Sequence, residues 1–343
     1  MHAFDVPLML FDLAPSLQKS LIQAGFRNAK DLDGITSREL CNETGMTSRE
    51  AIEVLLCLEK LQDEIDKVHQ PIGQTARELL QEAEKIPKIP TRLIGLDRLL
   101  GGGLTRGEVM EICGGPGLGK TQFAIHVCLA SSVPFKGRSI YIDSEGSFVI
   151  ERVAQMAAHF VEDYKLPGEE ISTRDDILRS IHYYRVHDYV EQMQVIQSLF
   201  NVLRQDPKIC TLVIDSLAFH LRHSFEDTGA RARATESAAI KLHELAREFR
   251  IVVFIVNYMT TKYHGDHRLP SAPFDTMNGL EIPALGDSWS HAIATRLYLN
   301  EDLSTRSVHL IKSSAIPPAH PIPYAITERG ISVESPSIDA LKV

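Results

Sequence analysis

The stretch with the clearest chemistry is Gly114-Gly115-Pro116-Gly117-Leu118-Gly119-Lys120-Thr121, followed by Gln122. It fits G-x-x-x-x-G-K-[ST], behind an apolar run and ahead of an amphipathic one. Glycines in this pattern let backbone N–H groups curl around a phosphate, and the N-terminus of the next helix adds its positive dipole. Lys120 is placed to reach the β- and γ-phosphates, and the Thr121 hydroxyl to ligate Mg²⁺. The expected ligands are therefore ATP and Mg²⁺, held by residues 114–122.

Two further acids complete the chemistry. Thr211-Leu212-Val213-Ile214-Asp215 is an apolar run ending in a carboxylate, the form expected of a second Mg²⁺-holding group. Ile140-Tyr141-Ile142-Asp143-Ser144-Glu145-Gly146 follows the phosphate-loop helix. Glu145, just past its end, could polarise an attacking water, with a surface turn acid as the alternative reading. Asp143 reads as a structural carboxylate.

These residues need an α/β frame. Strand-like runs at Val109–Cys113, Ser139–Asp143, His182–Val186, Thr211–Asp215 and Ile251–Asn257 alternate with helix-like segments at Lys120–Ala130, Ile150–Tyr164, Val190–Arg204 and Ala234–Phe249. Such alternation implies a mostly parallel sheet covered on both faces. Beyond Trp289, Ala292–Leu299, Ser307–Ile311 and Ile322–Thr327 read as an antiparallel extension of that sheet. The first 62 residues read instead as short helices. Pro15 opens one with Leu17, Leu21 and Ile22 as its apolar face, Ser37 caps a second, and Thr47 with Glu50 forms a capping box before a third. Residues 63–92 read as a polar linker carrying a helix from Thr75 to Glu84. The expected organisation is 1–62 helical, 63–92 linker and 93–343 ATPase.

Composition sets bounds. The chain has 343 residues and a net charge of −9, so it is no basic nucleic-acid clamp as a whole, and any DNA contact must come from local patches. Five cysteines (Cys41, Cys57, Cys113, Cys128 and Cys210) form no C-x-x-C pair, which points to a reducing interior compartment. The longest apolar run, Ile251–Val256, falls far short of the roughly 20 residues that span a bilayer. The opening MHAFDVPLMLFDLAP has acids where a secretory signal would be apolar. No membrane role is expected, and the fourteen histidines show no H-x-x-x-H metal spacing on a helix.

In combination these motifs resemble the RecA-type recombinases, and more narrowly the eukaryotic DNA-repair recombinase and its paralogs. The matching pieces include Leu96-Asp97-Arg98-Leu99-Leu100-Gly101-Gly102-Gly103, Gly119-Lys120-Thr121-Gln122, Asp143-Ser144-Glu145-Gly146-Ser147-Phe148, Leu212–Ser216 and Thr295-Arg296-Leu297. Met259-Thr260-Thr261-Lys262 and residues 283–291 look most like the paralog branch lettered C. The resemblance implies a RecA-like P-loop ATPase core behind a small all-α, helix–hairpin–helix-like domain. It implies Lys120 and Glu145 in catalysis, and Thr121 and Asp215 on the metal. It also implies DNA-facing loops at residues 217–233 and 259–282, with phosphate contacts at Arg222, Arg231, Arg233, Lys262 and Arg268. The expected partners are other recombinase paralogs and single-stranded or branched DNA, in the nucleus with the cytoplasm as a second location.

Three departures from the recombinase pattern matter. Tyr258 stands where a glutamine couples nucleotide state to the second loop, and a phenol lacks an amide's paired donor and acceptor. Val149-Ile150 replaces Arg-Pro. Gly73-Gln74-Thr75-Ala76 replaces the Phe-x-x-Ala of self-assembly, which disfavours self-polymerisation. The expectation is an ATP-binding, weakly hydrolysing paralog in a heteromeric complex. A self-sufficient strand-exchange recombinase and a scaffold using ATP only structurally stay open. Residues 1–70 carry seven Lys/Arg against twelve Asp/Glu, which favours protein docking over DNA binding. Trp289 is open between an interface and a packing role.

Overall fold

The computed structural model describes residues 8, 13–32, 34–57, 75–132, 136–163, 173–225, 227–262, 275–276, 279–317 and 319–333. Two compact units divide the chain, Met1–Ala83 and Glu84–Val343.

In the first unit, α1 (Pro15–Gln23) carries its proline in the first helical turn, where an N–H has no intrahelical partner. Leu17 and Leu21 are buried, but Ile22, expected beside them, is 43% exposed. One residue on from Leu21 turns it about 100° round the helix. The cap of α2 (Ser37–Thr44) is Thr36 rather than Ser37: its hydroxyl accepts from Glu39 N–H, and Glu39 accepts from Thr36 N–H. Thr47 and Glu50 make the anticipated reciprocal cap ahead of α3, helical over residues 48–57. Leu17, Leu21, Leu32, Leu40, Ala51 and Val54 form the core of this unit. The helix α4 (Ala76–Glu84) buries no residue.

The second unit runs α5 (Ile94–Leu99), β1 (Val109–Gly114), α6 (Lys120–Ser132), β2 (Arg138–Asp143), α7 (Ile150–Asp163), α8 (Arg174–Arg179), β3 (Ile181–Arg185), α9 (Tyr189–Gln205) and β4 (Ile209–Asp215). It continues with α10 (Leu217–His223), α11 (Thr228–Phe249), β5 (Val252–Lys262), β6 (Asp275–Thr276), β7 (Gly279–Pro283) and α12 (Gly286–Ala292). Four strands follow: β8 (Thr295–Asp302), β9 (Thr305–Ser313), β10 (Ile322–Thr327) and β11 (Gly330–Val333). The sheet order is β11-β10-β9-β8-β1-β5-β4-β2-β3. From β8 to β3 neighbouring strands are parallel, and β8 to β11 pair antiparallel.

Alternating strand residues fill two cores. Met110, Ile112, Tyr141, Val213 and Phe254 pack with Phe123 of α6, Val153 of α7 and Ile177 of α8. Val109, Ile140, Ile142, Leu212, Ile214 and Ile255 face the other way, onto Ile196 of α9, Leu217 of α10, Ala238 of α11 and Trp289. This is the period-2 side-chain pattern of a sheet buried on both faces. Among the described residues no helix is long and apolar enough to cross a membrane.

The stretch 217–233 and the described residues of 259–282, both read as DNA-facing loops, are largely regular structure, and residues 263–274 and 277–278 lie outside the described residues. Residues 217–233 form α10 and the opening of α11, because the Asp227 carboxylate accepts from the N–H groups of Gly229 and Ala230 and starts α11 six residues before Ala234. Within residues 259–282, β5 continues through Met259, Thr260, Thr261 and Lys262 and pairs antiparallel with β7. The elements α5, α8, α10, α12 and β11 carry too few residues for a visible apolar period.

Candidate active site

The phosphate loop joins β1 to α6. Gly119 sits at φ +85°, a backbone angle that strains any side chain, and a Cβ there would also have to displace the Ile326 side-chain tip, 2.6 Å away. Behind the loop, Tyr324 donates its hydroxyl proton to the Leu118 carbonyl at 2.6 Å and packs edge-on against Phe123. The antiparallel extension thus braces the loop from below.

Lys120 is buried. Its Nζ donates to the carbonyls of Gly114 (3.0 Å) and Gly115 (2.8 Å) and lies 5.4 Å from the centre of the Tyr258 ring. Burial pushes its ammonium below the usual lysine range, opposed by the charges of Asp215 and Glu145. An anion arriving at this point gives the charge a partner.

Asp215 ends β4, buried. Its Oδ2 accepts from Thr121 Oγ1 (2.7 Å), Tyr141 Oη (2.7 Å) and Ser147 Oγ (3.3 Å). Burial raises its pKa, while the Thr121 and Tyr141 hydroxyls pull it down. Glu145 accepts from Ser216 Oγ at 2.8 Å, and burial again raises its carboxyl. Asp143 serves the backbone. Its Oδ1 takes the N–H groups of Glu145, Gly146 and Ser147, and its Oδ2 those of Phe148 and the Tyr183 hydroxyl. It therefore shapes the turn that carries Glu145.

These groups open onto one cleft of about 740 Å³, lined by Pro116, Gly117, Gly119, Lys120, Thr121, Gln122, Glu145, Asp215 and Tyr258. Gly114, Gly115 and Leu118 complete the loop around it. Arg152 on the cleft wall gave no sequence signal. Its guanidinium is held by Gln122 Oε1 (2.9 Å), Gln155 Oε1 (2.8 Å) and the carbonyls of Thr327 and Glu328 (2.6 and 2.8 Å). Fixed in this way, it adds a planar cation to the cleft wall. The donor set fits Mg²⁺: a hydroxyl and a carboxylate, both hard oxygen ligands, beside a lysine for phosphate. A Mg²⁺ ion held there would neutralise charge on the phosphates.

The basic residues are more scattered. Arg222 lies exposed in the last turn of α10, and Arg231 and Arg233 lie in the opening turns of α11, with Arg233 4.0 Å from Asp227. Lys262 is the last residue of β5, and Arg268, like Gly73, lies outside the described residues.

A second buried cluster lies beneath the loop. Glu111 of β1 accepts from Trp289 Nε1 (2.8 Å), Asn257 Nδ2 (2.5 Å) and Arg296 Nε, and Arg296 also reaches Ser290 Oγ at 3.0 Å. Trp289, 1% exposed, is thus a core residue.

The Rad51 family model matches residues 82–334. The chain is 32% identical to DNA repair protein RAD51 homolog 3 of Cricetulus griseus, over 94% of this chain and 91% of that protein. It is 30% identical to DNA repair protein RAD51 homolog 2 of Homo sapiens, over 86% and 80%. It is 26% identical to DNA repair and recombination protein RadA of Aeropyrum pernix, over 93% and 94%. The chain therefore belongs to the Rad51 family, as a RecA-type protein of the eukaryotic paralog kind.

Proposed function

We propose that this protein is an ATP-binding, weakly hydrolysing recombinase paralog. In this reading it works in a heteromeric complex with other paralogs, on single-stranded or branched DNA in the nucleus. Its task is to support recombinase filament assembly in double-strand break and fork repair. The observation that carries the reading is the convergence of Lys120, Thr121, Asp215 and Glu145 on one cleft. Lys120 exchanges the carbonyls of Gly114 and Gly115 for phosphate oxygens. Thr121 and Asp215 hold the metal. Glu145, its carboxyl raised by burial and oriented by Ser216, accepts the proton of an attacking water. Arg222, Arg231, Arg233, Lys262 and Arg268 offer cations to DNA phosphates. Tyr258 at the cleft and Gly73 in the linker favour a paralog over an autonomous recombinase, and the acid excess of residues 1–70 favours protein docking there.

The test is purification of the chain with and without candidate paralogs, followed by measurement of particle size and DNA-stimulated ATPase. Small hetero-oligomers with weak turnover are expected. Continuous ATP-dependent filaments of this chain alone, seen by electron microscopy on single-stranded DNA, would overturn the paralog reading.

A further inference from the structure

The Asp215 carboxylate is served by three hydroxyls from three places: Thr121 at the start of α6, Tyr141 within β2 and Ser147 beyond the end of β2. All three bonds converge on Oδ2. The Thr121 hydroxyl belongs to the nucleotide motif, and with two lone pairs it can face a cation while still donating its proton to Asp215. Tyr141 and Ser147 lie outside the phosphate-loop octet.

Tyr141 is the more telling of the two. It is fully buried, with its ring 4.7 Å from Phe148, and in sheet register it lies opposite Val213, two residues before Asp215. A phenylalanine would fill this core without requiring a partner for a phenolic proton. The phenol instead spans to the neighbouring strand and spends its one donor on the end of β4. A carboxylate turns easily about its terminal torsion. A single bond from Thr121 leaves that rotation open, whereas donors from three separate elements close it.

We propose that Tyr141 is a positioning residue for the divalent-ion site, fixing the orientation of the Asp215 carboxylate, with Ser147 doing so more weakly. The proposal rests on the nucleotide-binding reading above. It predicts a split that loss of packing would not produce. Tyr141→Phe keeps the ring and removes one oxygen, so binding of ATP in EDTA should match the parent. The strengthening of ATP binding by Mg²⁺, and the affinity for Mn²⁺ read by electron paramagnetic resonance in the presence of ATP, should fall about tenfold, as for loss of one charge-assisted hydrogen bond. Ser147→Ala, which removes a longer bond of 3.3 Å to Asp215, should move the same two readings in the same direction and by less. Unchanged metal dependence in Tyr141→Phe overturns the proposal, as does an equal loss with and without metal. Should Tyr141→Phe not fold, Ser147→Ala decides, and unaltered metal dependence in that variant overturns the proposal. A parent chain that shows no ATP binding at all removes the nucleotide reading itself, a result distinct from failure of the variants alone.

Discussion

Glu111 and Asp215 are both buried carboxylates, on β1 and β4, with β5 between them. Their partners differ in kind. Glu111 faces a guanidinium, an indole N–H and an amide, so its charge is matched inside the protein. Asp215 has hydroxyls only, which orient a negative charge without cancelling it. The first cluster is complete as a piece of structure. The second holds its carboxylate by hydroxyls, with the Lys120 ammonium as a nearby opposing charge, an arrangement suited to a bound cation.

The sharpest way to break this comparison is to remove one charge from each cluster. Arg296→Met strands the Glu111 charge and should lower stability by about 3–5 kcal/mol. Asp215→Asn should leave the denaturant midpoint nearly unmoved while abolishing Mg²⁺-dependent ATP binding. Chemical denaturation checks both, and equal losses would erase the distinction. Next in size, Lys120→Ala should abolish Mg²⁺·ATP binding with the fold intact. Undiminished affinity by calorimetry would remove the phosphate-loop assignment.

Glu145→Gln should instead retain binding and lose hydrolysis. Burial raises the Glu145 carboxyl above 4.5, and a base must be unprotonated. Parent turnover should therefore fall as pH drops toward that raised value, an acid limb read from the pH profile of the ATPase. The smallest effect lies on the scattered cations. Arg222→Ala and Arg231→Ala should each reduce the salt slope of DNA binding by up to about one unit. An unchanged slope in both moves the DNA surface elsewhere.

The phosphate loop and the strands feeding it were legible because each is local: glycines, a lysine and a threonine in one octet, or an apolar run ending in an acid. Ile322–Thr327 was read at its observed bounds, and the parallel strands within two residues at most ends. Partners from distant sequence were not legible. Tyr141 and Asp215 are 74 positions apart, and Arg152 and Thr327 are 175 apart. Read alone, Tyr141 is a strand residue and Arg152 a surface charge. The opening of α11 was hidden because Asp227 sits among other charges, and its role as a cap depends on φ and ψ rather than composition. The acids that cap and the acids that catalyse are the same residue types.

The brace under the phosphate loop has a consequence for synthesis. Tyr324 and Leu118 are 206 positions apart, so a ribosome makes the loop long before the strand that holds it. At the usual rates of about 5–20 residues per second, the interval is about ten to forty seconds. A nascent chain in that interval carries every residue of the nucleotide motif without the hydroxyl behind Leu118 or the isoleucine against Gly119. A stop codon ahead of Ile322 would extend that interval indefinitely, leaving a protein whose signature is intact and whose glycine-rich loop is never braced.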